Sequence, residues 1–325
     1  MPTTLPPRRP PEPDRGPAID EASARGGGRS ALHGVQGVIL ATTLLAMLAV
    51  VLLPIVRPDG GRTAPLTVVV APPSLTRSGE VPAEHAARVA EAARDALLRH
   101  LVGRRLLLPR PVDGDGSAPP AELARAVGAE ETLFLELRCS SVEACRGVLF
   151  RVRAVDGSRQ WQKGKIVLPT DDLRAIDQVL GREVEIAFLR FPRHDQAPRL
   201  YAEADDYASY LDLRRRLRTG LPAVRLLPEA RELVVGSPRF ADGYQLIANL
   251  QRVTVNGAAT DPHESETLVA AIENLERAHA IAPADPRPLE SLAELYALLE
   301  RPEAAETDAR LKRLRSERRW LPRPE

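Results

Sequence analysis

Residues 35–56 read VQGVILATTLLAMLAVVLLPIV, 22 positions without a charged side chain. About 20 consecutive apolar residues in a helix cross the hydrocarbon of a bilayer. A soluble core helix of that length keeps one polar face, and this run has none. Thr42 and Thr43 can bond back to their own helix, and Pro54 sits near the end, where a break is tolerated. The competing reading is a cleaved signal peptide, whose apolar region is about 7–15 residues long and ends at a small-residue cleavage site. The longer run and the residues before it favour a transmembrane helix contacting the lipid bilayer through 35–56. Arg15, Arg25 and Arg29 before it balance Arg57, Arg62 and Arg77 after it, so flanking charge barely orients it. The expectation is a single pass through a bacterial inner membrane, with the N-terminus cytoplasmic and residues 57–325 outside.

Around this run the chain divides. Residues 1–34 (PPRRPPEP, ARGGGRS) lack apolar periodicity and read as a disordered Pro/Arg-rich tail, with a polyproline ligand as the less favoured alternative. Residues 57–65 read as a linker. The 45 Lys and Arg nearly balance 44 Asp and Glu, which argues against a nucleic-acid partner. Only Lys163, Lys165 and Lys312 are lysines, a bias consistent with a GC-rich bacterial genome. Aromatic residues make up 4%, so a core must come from Leu, Val and Ala.

Residues 66–192 read as a small α/β domain in the order β-α-β-α-β-β-β-α. LTVVVAP is a buried strand. Residues 84–101 place Ala86, Val89, Ala90, Ala93, Leu97 and Leu101 on one helical face. RRLLLP forms a second strand, and AELARAV a short helix closed by Gly128. Leu133, Leu135, Leu137 and Cys139 alternate with Phe134, Glu136 and Arg138. Val148, Phe150, Val152 and Ala154 alternate with Leu149, Arg151 and Arg153. Asp156-Gly157 signals a hairpin turn into a strand at 161–168. Asp171 and Asp172 open a helix whose apolar face is Leu173, Ile176, Leu180, Val184, Ala187 and Phe191.

Residues 201–320 show helix pairs. Ala271, Leu275, Ala278 and Pro283 have the spacing of tetratricopeptide repeats (TPR), and Leu289, Leu292, Ala293, Tyr296, Ala305 and Ala309 continue it. The fold class expected is thus α+β/α: one transmembrane helix, the α/β domain, then an all-α TPR-like helical repeat domain. The closing stretch RLKRLRSERRW reads as a solvated capping helix, a membrane or anion contact being the alternative.

No catalytic constellation emerges. The six histidines (His33, His85, His100, His194, His263, His279) lack ligand spacing and read as surface residues. Asp113-Gly114-Asp115-Gly116-Ser117 lacks the closing glutamate of a calcium loop, and the neighbours Asp205 and Asp206 point apart on a helix. The expectation is no enzyme, no cofactor and no metal. Cys139 and Cys145 fall across the loop SSVEA. Outside the cytoplasm they could clamp a hairpin by a disulfide; the alternative is two free thiols. Tyr207, Tyr244, Asn249 and Glu294 lie on first helices of the pairs and are candidates for a partner-binding face, whereas Tyr296 reads as core.

LTVVVAP, AELARAVGAEETLFLEL, VLFRVRAVDGSRQWQKGK and YASYLDLRRRLRTG…LLPEARELVVGSPRFADGYQLIANL together resemble a bacterial family. In it a domain like the N-terminal domain of TolB precedes tetratricopeptide repeats, as in the C-terminal halves of CadC-like regulators and of some serine/threonine kinases. The resemblance spans roughly 66–320. Residues before 35 are too few for the winged helix or kinase domain of those relatives. The resemblance therefore implies a membrane-anchored scaffold binding a protein or peptide through its repeats, or else an envelope sensor acting with a separately encoded kinase or regulator.

Overall fold

The computed structural model of the protein describes residues 65–112, 118–255 and 262–319. The uncharged run at 35–56, the tail at 1–34, the linker up to residue 64 and the Asp-Gly run at 113–117 lie outside these residues.

The first half is built on a mixed sheet. Strands β1 (Leu66–Val70), β2 (Ser74–Arg77), β3 (Leu107–Pro111), β4 (Glu131–Cys139), β5 (Ala144–Arg153) and β6 (Arg159–Pro169) take the order β3-β1-β4-β5-β6, with β2 also on β4. β1 and β2 both run parallel to β4, at its start and at its end. They are one line of chain interrupted at Pro72-Pro73, since proline supplies no ladder N–H. β4, β5 and β6 form an antiparallel meander whose first turn brings Cys139 opposite Cys145. Both sheet edges are blunted. β3 carries Pro109 and Pro111, and β6 carries Lys163, Gly164 and Lys165, the last at φ 60° beside a register shift.

Helices α1 (Ala83–Val102) and α3 (Leu173–Ala187) cover one sheet face. Between them and the sheet lie Val68, Val70, Ala93, Leu97, Leu133, Leu135, Leu149, Ile166, Leu168, Ile176, Leu180 and Val184. Because Leu149 stands opposite Leu135, β5 gives its Leu149 face to this core. Phe150, opposite Phe134, goes to the other face, where the two rings stack 6.3 Å apart. The short helix α2 (Pro120–Ala126) covers part of that second face over Val69, Ala129 and Ala154. Gly128, at φ 66°, ends it, and Gly157, at φ 69°, turns β5 into β6.

Six helices follow among the described residues: α4 (Ala204–Arg218), α5 (Ala223–Gly236), α6 (Ala241–Thr254), α7 (Pro262–Ile281), α8 (Pro286–Leu298) and α9 (Glu303–Arg319). Tyr207, Tyr210 and Phe240 cluster at the start of this array, and Asp285 caps α8 through the Arg287 N–H. The Leu268, Ile272, Leu275, Leu289, Leu292 and Leu295 side chains form its distal core.

Two expectations are corrected. No helix among the described residues is long and apolar enough to cross a membrane, and the run at 35–56 lies outside them; as described, the fold is a mixed sheet plus helices in place of the expected transmembrane helix followed by two domains. The order within the sheet layer is β-β-α-β-α-β-β-β-α, with β2 as the added strand. SLTR has no apolar alternation, and only the free side of β4 recruits it.

Candidate functional site

On α1, Glu91, Asp95 and Arg99 follow one another at intervals of four, a stripe that on a surface helix would face water. Here all three are buried, because α4 sets the opposing stripe Tyr207, Tyr210, Arg214 and Arg218 against them. The two stripes pair in antiparallel order. Glu91 accepts from Arg218 at 2.5 Å and lies 3.4 Å from Arg214. Asp95 accepts from Arg214 at 2.7 Å, from the Tyr207 hydroxyl at 3.1 Å and from the Tyr210 hydroxyl at 3.4 Å.

Arg99, 1% exposed, is the hub. Its guanidinium donates to Asp95 on its own helix, to Asp177 of α3 at 2.5 Å and to Asp242 of α6 at 3.1 Å. Burial alone would lower its pKa, but the Asp95 and Asp242 charges outweigh that and hold it well above the ordinary arginine value. Burial would raise the Asp177 carboxyl. The His100 hydrogen bond and the Arg99 charge reverse this and hold it at about 2. Asp242 is likewise held low against burial, by Arg287 and Arg99. Tyr207 and Tyr210 are pushed up, chiefly by burial, and so remain neutral donors. Arg287 closes the chain, donating to Asp242 at 3.0 Å and to Asp285 at 2.6 Å. A buried charge without a partner costs several kcal/mol, so these groups persist only as a set.

Above this ionic floor opens a cleft of about 340 Å³ between α1, α4, α6, α7 and α8. The charges are layered across its wall. Arg214, Arg218, Arg252 and Arg287 are 24% to 47% exposed, whereas Glu91, Asp95, Asp242 and Asp285 behind them are 1% to 8% exposed. The carboxylates aim Arg214, Arg218 and Arg287 and neutralise them from beneath, leaving N–H donors toward the opening, whereas Arg252 pairs with the exposed Glu294 at the rim. Leu98, Leu217, Leu246, Leu275 and Leu295 give the cleft apolar surface, and Asn249 and Ser291 add polar groups. Among the described residues no group of three or more His, Cys, Asp or Glu could hold a metal ion.

The expected partner-face residues separate. Asn249 lines the cleft, and Glu294 stands at its rim, 2.9 Å from Arg252. Tyr207 is fully buried and offers a partner no surface; its place on the first helix of a pair could not reveal that Asp95 waits for its hydroxyl. Tyr244 is also buried, with its hydroxyl 3.4 Å from the Pro238 carbonyl. Tyr296 is buried and donates to Glu276 at 2.7 Å. His100 is no surface residue, since it is half-buried against Asp177. Cys139 and Cys145, both fully buried, are joined by a disulfide at the end of the β4–β5 pair. Sequence reasoning missed Arg99, Asp95, Arg214 and Arg287. The signal that could have found them is the match between the two stripes, 91-95-99 and 207-210-214-218.

No protein-family model and no curated protein matches the chain. Among solved structures, the chain is similar to the LpoB C-terminal domain from Salmonella enterica. The identity is 20% over 34% of this chain and 86% of that one, with a TM-score of 0.23. It is also similar to lipoprotein GNA1162 from Neisseria meningitidis, with 10% identity over 38% of this chain and 98% of that one, and a TM-score of 0.26. At these scores neither likeness carries a conclusion about fold or function. The TolB-like and TPR descriptions expected from sequence are corrected as well. No match supports either, and the chain is described by its own sheet and helical array.

Proposed function

We propose that the protein is a non-catalytic binding module whose cleft holds a segment of a protein partner. The observation that carries this reading is the layered wall, in which partly exposed guanidiniums backed by buried carboxylates stand over leucines. Fixed N–H forks beside apolar surface suit a peptide that offers carboxylates or carbonyls together with apolar side chains. An extracytoplasmic location in the bacterial envelope is part of the proposal. It is supported by the Cys139–Cys145 bond, since such bonds persist in oxidising compartments. A second reading, a sensor passing its signal to a separately encoded kinase or regulator, is favoured by one feature. Asp95 and Asp242 line the cleft and also hold Arg99, so occupancy would be felt in α1 and α3.

The test fills the cleft. Ser291→Trp in the full chain, expressed in its native cells, should abolish recovery of the partner that copurifies with the wild type, with the unfolding midpoint little changed. Undiminished recovery with the cleft filled would refute the proposal.

A further inference from the structure

The second sheet face, opposite α1 and α3, is only partly covered by α2. At its far end Arg138 of β4 stands directly opposite Arg146 of β5. Cys139 and Cys145, the next register pair, point into the core, so by alternation both arginines point out, and both are exposed. Such opposed residues sit about 5.5 Å apart at Cα, and like charges so placed destabilise a strand pair. Neither arginine has a hydrogen bond or ion pair among the described residues. Glu136, one alternation away on β4, makes no ion pair with either. The disulfide at the neighbouring pair keeps the strands from separating there, so the two guanidiniums are held side by side in water. Beside Arg146 on β6 lies Val167, 55% exposed, and on the same face Arg159 stacks over Phe150 at 4.7 Å. Arg138, Arg146 and Arg159 against Glu136 make the β4–β6 part of this face basic, in a chain whose charges otherwise balance.

We propose that this face docks an acidic segment of a protein partner, with a carboxylate bridging Arg138 and Arg146 and an apolar neighbour resting on Val167. A carboxylate accepts from two forks at once and removes the repulsion between them. Exposed valine beside the pair favours a polypeptide over a small free anion. The proposal is independent of the cleft.

The test uses the full chain and a fluorescein-labelled deca-glutamate peptide, read by anisotropy at low and moderate salt. The wild type should bind, more weakly as salt rises. Arg138→Glu should weaken binding about tenfold or more. The same substitution turns a like-charge pair into an opposite-charge pair, so it should raise the thermal midpoint of the free protein. A gain in stability with a loss of binding is a combination that damage to the fold cannot produce. Ser291→Trp should leave the affinity unchanged. The proposal is overturned if Arg138→Glu leaves affinity unaltered, or if Ser291→Trp abolishes binding and so moves the site to the cleft. Binding of phosphatidylglycerol vesicles but not of the peptide would also overturn it.

Discussion

The floor of the cleft and the outer end of the β4–β5 pair use the same side chain in opposite ways. At the floor, Arg99, Arg214 and Arg287 each lie against carboxylates that are almost wholly buried, and α1, α3, α4, α6 and α8 meet around them. On the sheet, Arg138 and Arg146 face each other across a strand pair with no carboxylate between them. The first arrangement holds the molecule together and turns its spare donors toward a cleft. The second costs stability and has no compensating carboxylate among the described residues. In a chain where arginine outnumbers lysine so heavily, residue type says little about role. Burial and partner decide it.

The comparison is broken first at the floor. Arg99→Leu leaves Asp95, Asp177 and Asp242 without their shared cation, and denaturant unfolding should show a loss of about 3–5 kcal/mol. A loss below about 1 kcal/mol would mean that the cluster is solvated and does not join the sheet layer to the helices. At the other region, replacing Cys139 and Cys145 together by alanine opens a crosslink of sequence separation 6, which should cost about 2 kcal/mol. The strands should then slip most easily where the two arginines oppose, giving faster amide exchange at 138 and 146 than in the middle of β4.

Acid separates the regions further. The Asp177 carboxyl is held at about 2 in the folded chain, below its unfolded value near 3.9. Its contribution, on the order of 2 kcal/mol, is therefore complete above about pH 4 and lost as pH falls toward 2. Asp177→Asn should be less stable than wild type at neutral pH and should flatten that part of the acid dependence. An unchanged acid profile would remove Asp177 from the network. The smallest effect belongs to the rim. Glu294→Ala breaks an exposed pair with Arg252 and should change stability by no more than about 1 kcal/mol.

Much of the sheet layer could be read from the chain, and the particular residues show why. Leu133, Leu135, Leu137 and Cys139 alternate, and Asp156-Gly157 marks its turn, so local pattern suffices for β4 and for the β5–β6 hairpin. β2 could not be read, because SLTR becomes a strand only through the open side of β4. The face chosen by β5 was open too, since both of its alternating sets contain large apolar residues and only the Leu135–Leu149 register decides between them. Of the cleft, Asn249 and Glu294 were accessible to helix-face reasoning. Tyr207 was misjudged, and the ionic floor was invisible, because a charged stripe on one helix looks solvated until the stripe that answers it is set opposite.

The most direct test of the cleft as the binding surface is photo-crosslinking from a light-activated residue placed at Asn249 in the full chain, in its native cells. A discrete crosslinked protein that appears on irradiation and disappears when Ser291→Trp fills the cleft is the predicted result. No crosslink from Asn249, with strong crosslinks from exposed positions on α5 such as Glu232, would place the partner elsewhere and contradict the account.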